Sequence, residues 1–224
     1  MALAVRLRSA VSLLGRFPAL AGVDLDVAPG EIVLVQGSNG AGKTTLLRAC
    51  AGLTAFTAGE AEVLGHDLRK SRKSVRRQVG LLGHATFLYD DLTVADNLTF
   101  SARAGGADAA SAADAMARLG LDGRLRDVPA GRLSAGQRRR VAVAAVVARR
   151  PVLWLLDEPH AGLDAGGRNL LDGIVQEAVA GGATVLLASH ELDRAAAIAT
   201  RTVTMAGGQV TGGLLVQPEP VRVA

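Results

Sequence analysis

The segment Gly37-Ser38-Asn39-Gly40-Ala41-Gly42-Lys43-Thr44 follows the apolar run Ile32-Val33-Leu34-Val35 and opens onto Thr45-Leu46-Leu47. A buried strand that empties into a glycine-rich turn and then into an apolar helix is the setting in which backbone wraps phosphate. The glycines let successive amides turn inward around phosphate oxygens, and the helix N-terminus adds the positive end of its dipole. Lys43 is placed to reach β and γ phosphates and the Thr44 hydroxyl to take a position on Mg²⁺, with Thr45 in the same phosphate-contacting set. The lysine is informative in itself. The chain has only three, Lys43, Lys70 and Lys73, and otherwise uses arginine for positive charge. An ordinary glycine-rich turn has no need of an ammonium there.

Two further runs, Leu153-Trp154-Leu155-Leu156 and Thr184-Val185-Leu186-Leu187, are as continuously apolar as the one before the loop. Such runs suit strands buried on both faces of a parallel sheet, so the core is α/β. Strands are expected at 3–9, 20–28, 31–36, 59–64, 79–83, 152–156, 183–188, 201–206 and 209–215, and helices at 43–51, 93–103, 109–119, 136–149, 167–180 and 191–198. From about 85 to 149 the pattern is Ala-rich and helical, broken at Gly105-Gly106 and Gly120, which reads as a helical subdomain inserted between core segments 1–84 and 150–216. Residues 217–224, with Pro218 and Pro220, are expected to form an exposed tail.

With 224 residues, 49% hydrophobic and 21% charged, the chain has material for one packed core. Its longest apolar runs, such as Val141 to Ala148, fall far short of the roughly 18 residues of a membrane span. The N-terminus alternates like a strand and carries no export signal, so a cytoplasmic location is expected. The single cysteine, Cys50, lies in an apolar stretch and reads as a buried thiol. The net charge of +4 comes mostly from arginine, with clusters at Arg69 to Arg77 and Arg138 to Arg140 but no interleaved aromatics to stack bases, and no specific nucleic-acid partner is expected.

Asp157 and Glu158 stand at the carboxyl end of the second apolar run, with Pro159 behind them. Ligands of open α/β sheets bind at that edge. Asp157 there would hold Mg²⁺ and Glu158 would polarise an attacking water, although a solvated strand end often carries acids too. His190 follows the third run and falls on the same edge, as a functional or a merely exposed histidine.

Leu133-Ser134-Ala135-Gly136-Gln137 lies just before a helix and ahead of the acidic pair. Taken alone, Ser134 is a helix N-cap, and a Ser-x-Gly at a helix N-terminus offers hydroxyl, amides and dipole to an anion. In combination with the phosphate loop, the sequence closely resembles the ABC ATPases over about residues 3–213. The resemblance implies a P-loop NTPase (RecA-like) core with a mostly parallel sheet, an N-terminal antiparallel β subdomain and the inserted α-helical subdomain. It implies ATP and Mg²⁺ as cofactors, and sites shared by two chains. Lys43, Thr44, Asp157, Glu158 and the switch histidine His190 of one chain would then face Ser134 and Gly136, with Gln137 beside them, of a second ATP-binding subunit, expected to be an identical copy. Ala161-Gly162-Leu163-Asp164 is similar to the family's D-loop.

Two positions depart from the family pattern. Leu14 aligns with an aromatic that stacks on adenine, with Phe17 nearby as a substitute, and His84 stands where the Q-loop glutamine belongs. The Gly83-His84 pair and the signature followed by Arg138-Arg139-Arg140-Val141 resemble the ATPase subunit of the haem exporters of cytochrome c maturation. Other small-molecule or drug exporters, or a soluble ABC clamp, fit the same motifs. For an exporter, integral-membrane subunits are the expected partners and the inner face of the cell membrane the expected place. Phe87, Leu88, Tyr89 and Leu92 beside the Q-loop are then candidates for the force-bearing contact, or for ordinary core.

Overall fold

The computed structural model describes residues 2–215, and the expected tail at 217–224 lies outside the described residues. β1 (Val5–Leu14) and β2 (Phe17–Val27) form an antiparallel hairpin that is longer than the expected strands at 3–9 and 20–28. The reason is a bulge. Val5 and Leu7 point into the core, Ser9 takes φ of 44°, and beyond it Ala10 and Ser12 are the buried residues. One extra residue swaps the faces, so the alternation that marks a strand is broken in sequence while the backbone continues.

β3 (Ile32–Gln36) leads through the phosphate-type loop to α1 (Lys43–Cys50). β4 (Ala58–Val63) and the two-residue β5 (His66–Asp67) complete an antiparallel sheet of order β2-β1-β4-β5. The short helix α2 (Leu68–Ser71), which sequence periodicity does not indicate, starts where the Asp67 carboxylate accepts the Arg69 amide. β6 (Val79–Leu82) follows, and then come α3 (Val94–Gly105), α4 (Ala109–Arg118), a 3-10 turn at Ala130–Arg132 and α5 (Ala135–Ala148). Thr93, Asp108 and Ser134 accept backbone amides at the starts of α3, α4 and α5, each a cap of the kind worth about 1 kcal/mol.

The chain returns as β7 (Leu153–Asp157), α6 (Ala165–Ala180), β8 (Thr184–Ala188), α7 (Leu192–Ile198), β9 (Arg201–Ala206) and β10 (Gln209–Leu215). The larger sheet has order β10-β9-β3-β8-β7-β6, parallel except for the β10–β9 pair. Its central strands feed two cores by alternation. Val33, Val35, Leu153, Leu155, Leu186 and Ala188 pack with α1 and the antiparallel sheet. Leu34, Trp154, Leu156, Val185 and Leu187 pack toward α3 to α6. The helices between β6 and β7 therefore share one continuous apolar cluster with the sheet, from Val94 and Leu98 through Val141 to Leu187.

Leu155 is fully buried in β7, between β6 and β8. Leu155→Ala is expected to cost about 2–5 kcal/mol, the range for a buried leucine that leaves a cavity, measurable as a lower midpoint in urea unfolding.

Candidate nucleotide site

The loop between β3 and α1 is shaped by glycines that nothing larger could replace. Gly37 has φ of 148°, and a Cβ there would fall 2.2 Å from the Met205 carbonyl oxygen. Gly42, at φ 106°, is the N-cap of α1 and would meet the Ala19 carbonyl at 2.6 Å. No side chain caps α1, so its first amides are offered to whatever lies in front of the loop. Lys43 is buried, and its ammonium donates to the carbonyls of Gly37 (2.6 Å) and Ser38 (3.1 Å), bracing the loop from within.

Across the sheet, the Thr44 hydroxyl donates to Asp157 Oδ2 at 2.8 Å, tying the start of α1 to the end of β7. Glu158 follows at φ 49°, a left-handed conformation rare for this residue type. Its carboxylate accepts the His190 backbone amide at 3.0 Å and lies 3.5 Å from the His190 ring Nε2. An open cavity of about 330 Å³ is lined by the loop residues Asn39 to Gly42, by Lys43, Thr44 and Thr45, and by His84, Asp157, Glu158 and His190. Gly37 and Ser38 stand behind it and contribute the carbonyls that hold Lys43.

Leu14 and Ala19 complete the lining; exposed Phe17 does not take part, so the aromatic substitute suggested by sequence is not at the cavity wall. Ser134, Gly136 and Gln137 are also outside it. Ser134 and Gln137 form a reciprocal capping box at the start of α5: Gln137 Oε1 accepts the Ser134 amide at 2.9 Å, and Ser134 Oγ accepts the Gln137 amide at 3.3 Å. Nearby, the Gly167 amide and then Arg140 hold the Asp164 carboxyl below its ordinary value. Burial pushes the Cys50 thiol up to about 12, which leaves it neutral on the core side of α1.

Sequence reasoning missed Arg139, which is buried behind the acidic pair and donates to the backbone carbonyls of Gly83 and Asp157. The signal was its spacing. Arg139 lies four and seven positions before Val143 and Val146 and so shares their buried face of α5. Burial pulls its pKa down, and Asp157 and Glu158 pull it back up.

A second cleft, of about 530 Å³, lies beside the segment after β6. Phe87, Leu88, Tyr89 and Phe100 line it, with Arg76, Arg77 and Arg149 at its border; Leu92, expected there, is not among the lining residues. Tyr89 and Phe100 meet edge to face at 5.2 Å, yet both are about half exposed (52% each), and Phe87 is more exposed still at 67%.

Comparison with known proteins places this geometry. The family model described as ABC transporter matches residues 20–161. The chain belongs to the ABC transporter family. It is an ATP-binding ATPase of that family. The cytochrome c biogenesis ATP-binding export protein CcmA of Nitrosomonas europaea is 40% identical over 179 residues, covering 79% of this chain and 84% of the relative. The protein of the same name from Bordetella bronchiseptica is 40% identical over 201 residues, 89% of each chain. Among solved structures, an ATP-binding subunit of an ABC transporter is similar at TM-score 0.88 and 26% identity, over 96% of this chain and 90% of that one. A dimeric ATP-binding cassette in a post-hydrolysis state bound to ADP and Pi shares the fold at TM-score 0.87 and 24% identity, over 95% and 99% of the two chains.

For this ABC ATPase, Gly37→Ala drives a Cβ into the Met205 carbonyl. The expected outcome is a strained loop costing about 1–3 kcal/mol in thermal unfolding and a weakening of ATP binding by about tenfold or more, read by titration calorimetry.

Proposed function

We propose that this chain is the ATP-hydrolysing subunit of a haem exporter that serves cytochrome c maturation, working as one half of a two-site dimer on the inner face of the cell membrane. The observation that carries the cargo reading is the 40% identity, across 79% to 89% of the chain, to cytochrome c biogenesis ATP-binding export proteins. No helix among the described residues is long and apolar enough to cross a membrane, so the path for cargo is assigned to separate integral-membrane subunits. The cleft at Phe87, Leu88, Tyr89 and Phe100 suits a helix of such a subunit, with apolar side chains for the aromatic wall and carboxylates for Arg76, Arg77 and Arg149.

The dimer reading rests on how the motifs are distributed. The cavity has loop, acidic pair and histidine on one side, while exposed Ser134 and half-buried Gly136 lie outside it on the same chain. In a head-to-tail pair, the α5 N-terminus of one copy would meet the phosphate held by the other. Gly136 lies against the Gly162 carbonyl, where a Cβ would sit at 3.2 Å, so this signature segment and the D-loop-like turn would move together.

Within one site, the amides from Ser38 to Thr45 and the Lys43 ammonium would hold the β and γ phosphates, with the ammonium exchanging its loop carbonyls for phosphate oxygens. The Thr44 hydroxyl and Asp157 carboxylate, already 2.8 Å apart, are hard oxygen donors that fit Mg²⁺. When bound, that ion would neutralise phosphate charge. Glu158 would accept a proton from water, and His190, whose backbone amide donates to the Glu158 carboxylate, would steady Glu158 and the γ-phosphate side. His84 lines the same cavity.

Glu158→Gln keeps shape and removes the base. Turnover is expected to fall by about 10²–10⁴-fold, with ATP-dependent dimers accumulating on size exclusion. Undiminished hydrolysis would take Glu158 out of its role. Gentle extraction of membranes should recover the chain with integral-membrane subunits and haem, detected by its absorption. Recovery with a partner that carries no haem would overturn the cargo, and a purely soluble complex would overturn the exporter.

A further inference from the structure

Arg139 is only 6% exposed, and among the described residues it enters no ion pair, unlike its neighbours Arg138 and Arg140. Its guanidinium donates instead to three backbone carbonyls, those of Gly83 at 2.7 Å, Asp157 at 3.2 Å and Glu158 at 2.5 Å. Its Nε–H has no partner among the described residues. A guanidinium this deeply buried, with one donor unsatisfied, is costly to desolvate; the nearby Asp157 and Glu158 charges offset that cost only in part, and a well-packed apolar side chain avoids it. Stability alone gives no reason for an arginine here.

The three carbonyls belong to the parts of the site that must agree in position. Gly83 precedes His84 at the exit of β6, Asp157 ends β7, and Glu158 follows it. Glu158 sits at φ 49°, where an L side chain is strained and persists only if its surroundings fix it. Both of its peptide groups are fixed: its N–H donates to the Ala188 carbonyl at 2.8 Å, and its C=O accepts from the Arg139 guanidinium and, at 3.2 Å, from the Ala161 amide. With the backbone so held, the carboxylate reaches the His190 amide.

We infer that Arg139 is a positioning residue for Glu158, locking the left-handed peptide that aims its carboxylate and tying it to Gly83-His84 and, along α5, to Ser134 and Gly136. A shift of α5 or of the segment from Gly83 to Tyr89 then turns the Glu158 peptide. Engagement of the aromatic cleft is thereby converted into alignment or misalignment of the base. The inference rests on the reading of Glu158 as the residue that polarises water.

The test uses the full chain with Arg139→Lys, which keeps charge and reach but loses the fork, and Arg139→Gln, with Glu158→Gln beside them. Steady-state hydrolysis of Mg-ATP, ATP binding and ATP-dependent dimerisation are measured for each. The expected result is a fall in kcat of about 10–100-fold with KM within about threefold of the parent, and dimers that accumulate with ATP as they do for Glu158→Gln. A structural defect alone would weaken binding and dimers instead. Wild-type kcat in Arg139→Lys, a joint loss of ATP affinity and kcat, or failure of even Arg139→Lys to fold would overturn the inference. If Glu158→Gln itself turns over normally, the underlying assignment of Glu158 fails. If Glu158→Gln is inactive while Arg139→Lys is normal, only the role of Arg139 fails.

Discussion

Ala188 pairs with Val35 on one side and with Asp157 on the other, and that register carries the rest of the site. Because β3, β8 and β7 are parallel and in step, they release the chain at one level. The glycine loop, the acidic pair and the Ser189-His190 turn emerge side by side although they are far apart in sequence. The 2.8 Å bond from Thr44 to Asp157, joining residues 113 positions apart, is possible only at this register. A slip of one residue would send Asp157 to the opposite face of the sheet.

The same strands explain why much of the fold could be read from the chain. Four or five consecutive apolar residues leave no polar face, so β3, β7 and β8 had to be covered on both sides, and they are. The phosphate loop was legible because its composition answers to geometry: Gly37 and Gly42 meet backbone carbonyls where a Cβ would be. Helix starts were legible where Thr93, Asp108 and Ser134 carry the cap. The signature serine is such a cap in structure, so its local chemistry alone does not distinguish an ordinary helix start from an anion-binding one.

What could not be read depends on events that alternation hides or on contacts between distant segments. The bulge at Ser9 inverts the faces of β1, so a ten-residue strand looked like a shorter one. The tiny β5 and α2 are held by pairing to β4 and by the Asp67 cap, with no apolar period to announce them. Leu92 looked like a neighbour of Phe87 and Tyr89, but Phe100, one helix further on, takes that place in the cleft because α3 folds back beside the segment. Leu14 and Phe17 face each other across the hairpin, and only the folded chain shows that Leu14 is the one at the cavity.

Arg139 belongs to a different kind of hidden feature, one where local rules are broken in a consistent direction. A buried guanidinium, its unsatisfied Nε–H and a glutamate in the left-handed region lie within one another's reach. Each is unfavourable alone, and they meet at the carboxyl edge of β7. Strain and desolvation concentrated at one place mark a site where conformation matters more than stability. Relaxing them would make the fold more comfortable and leave the Glu158 carboxylate free to wander. The cost is therefore the work of holding one side chain in one direction.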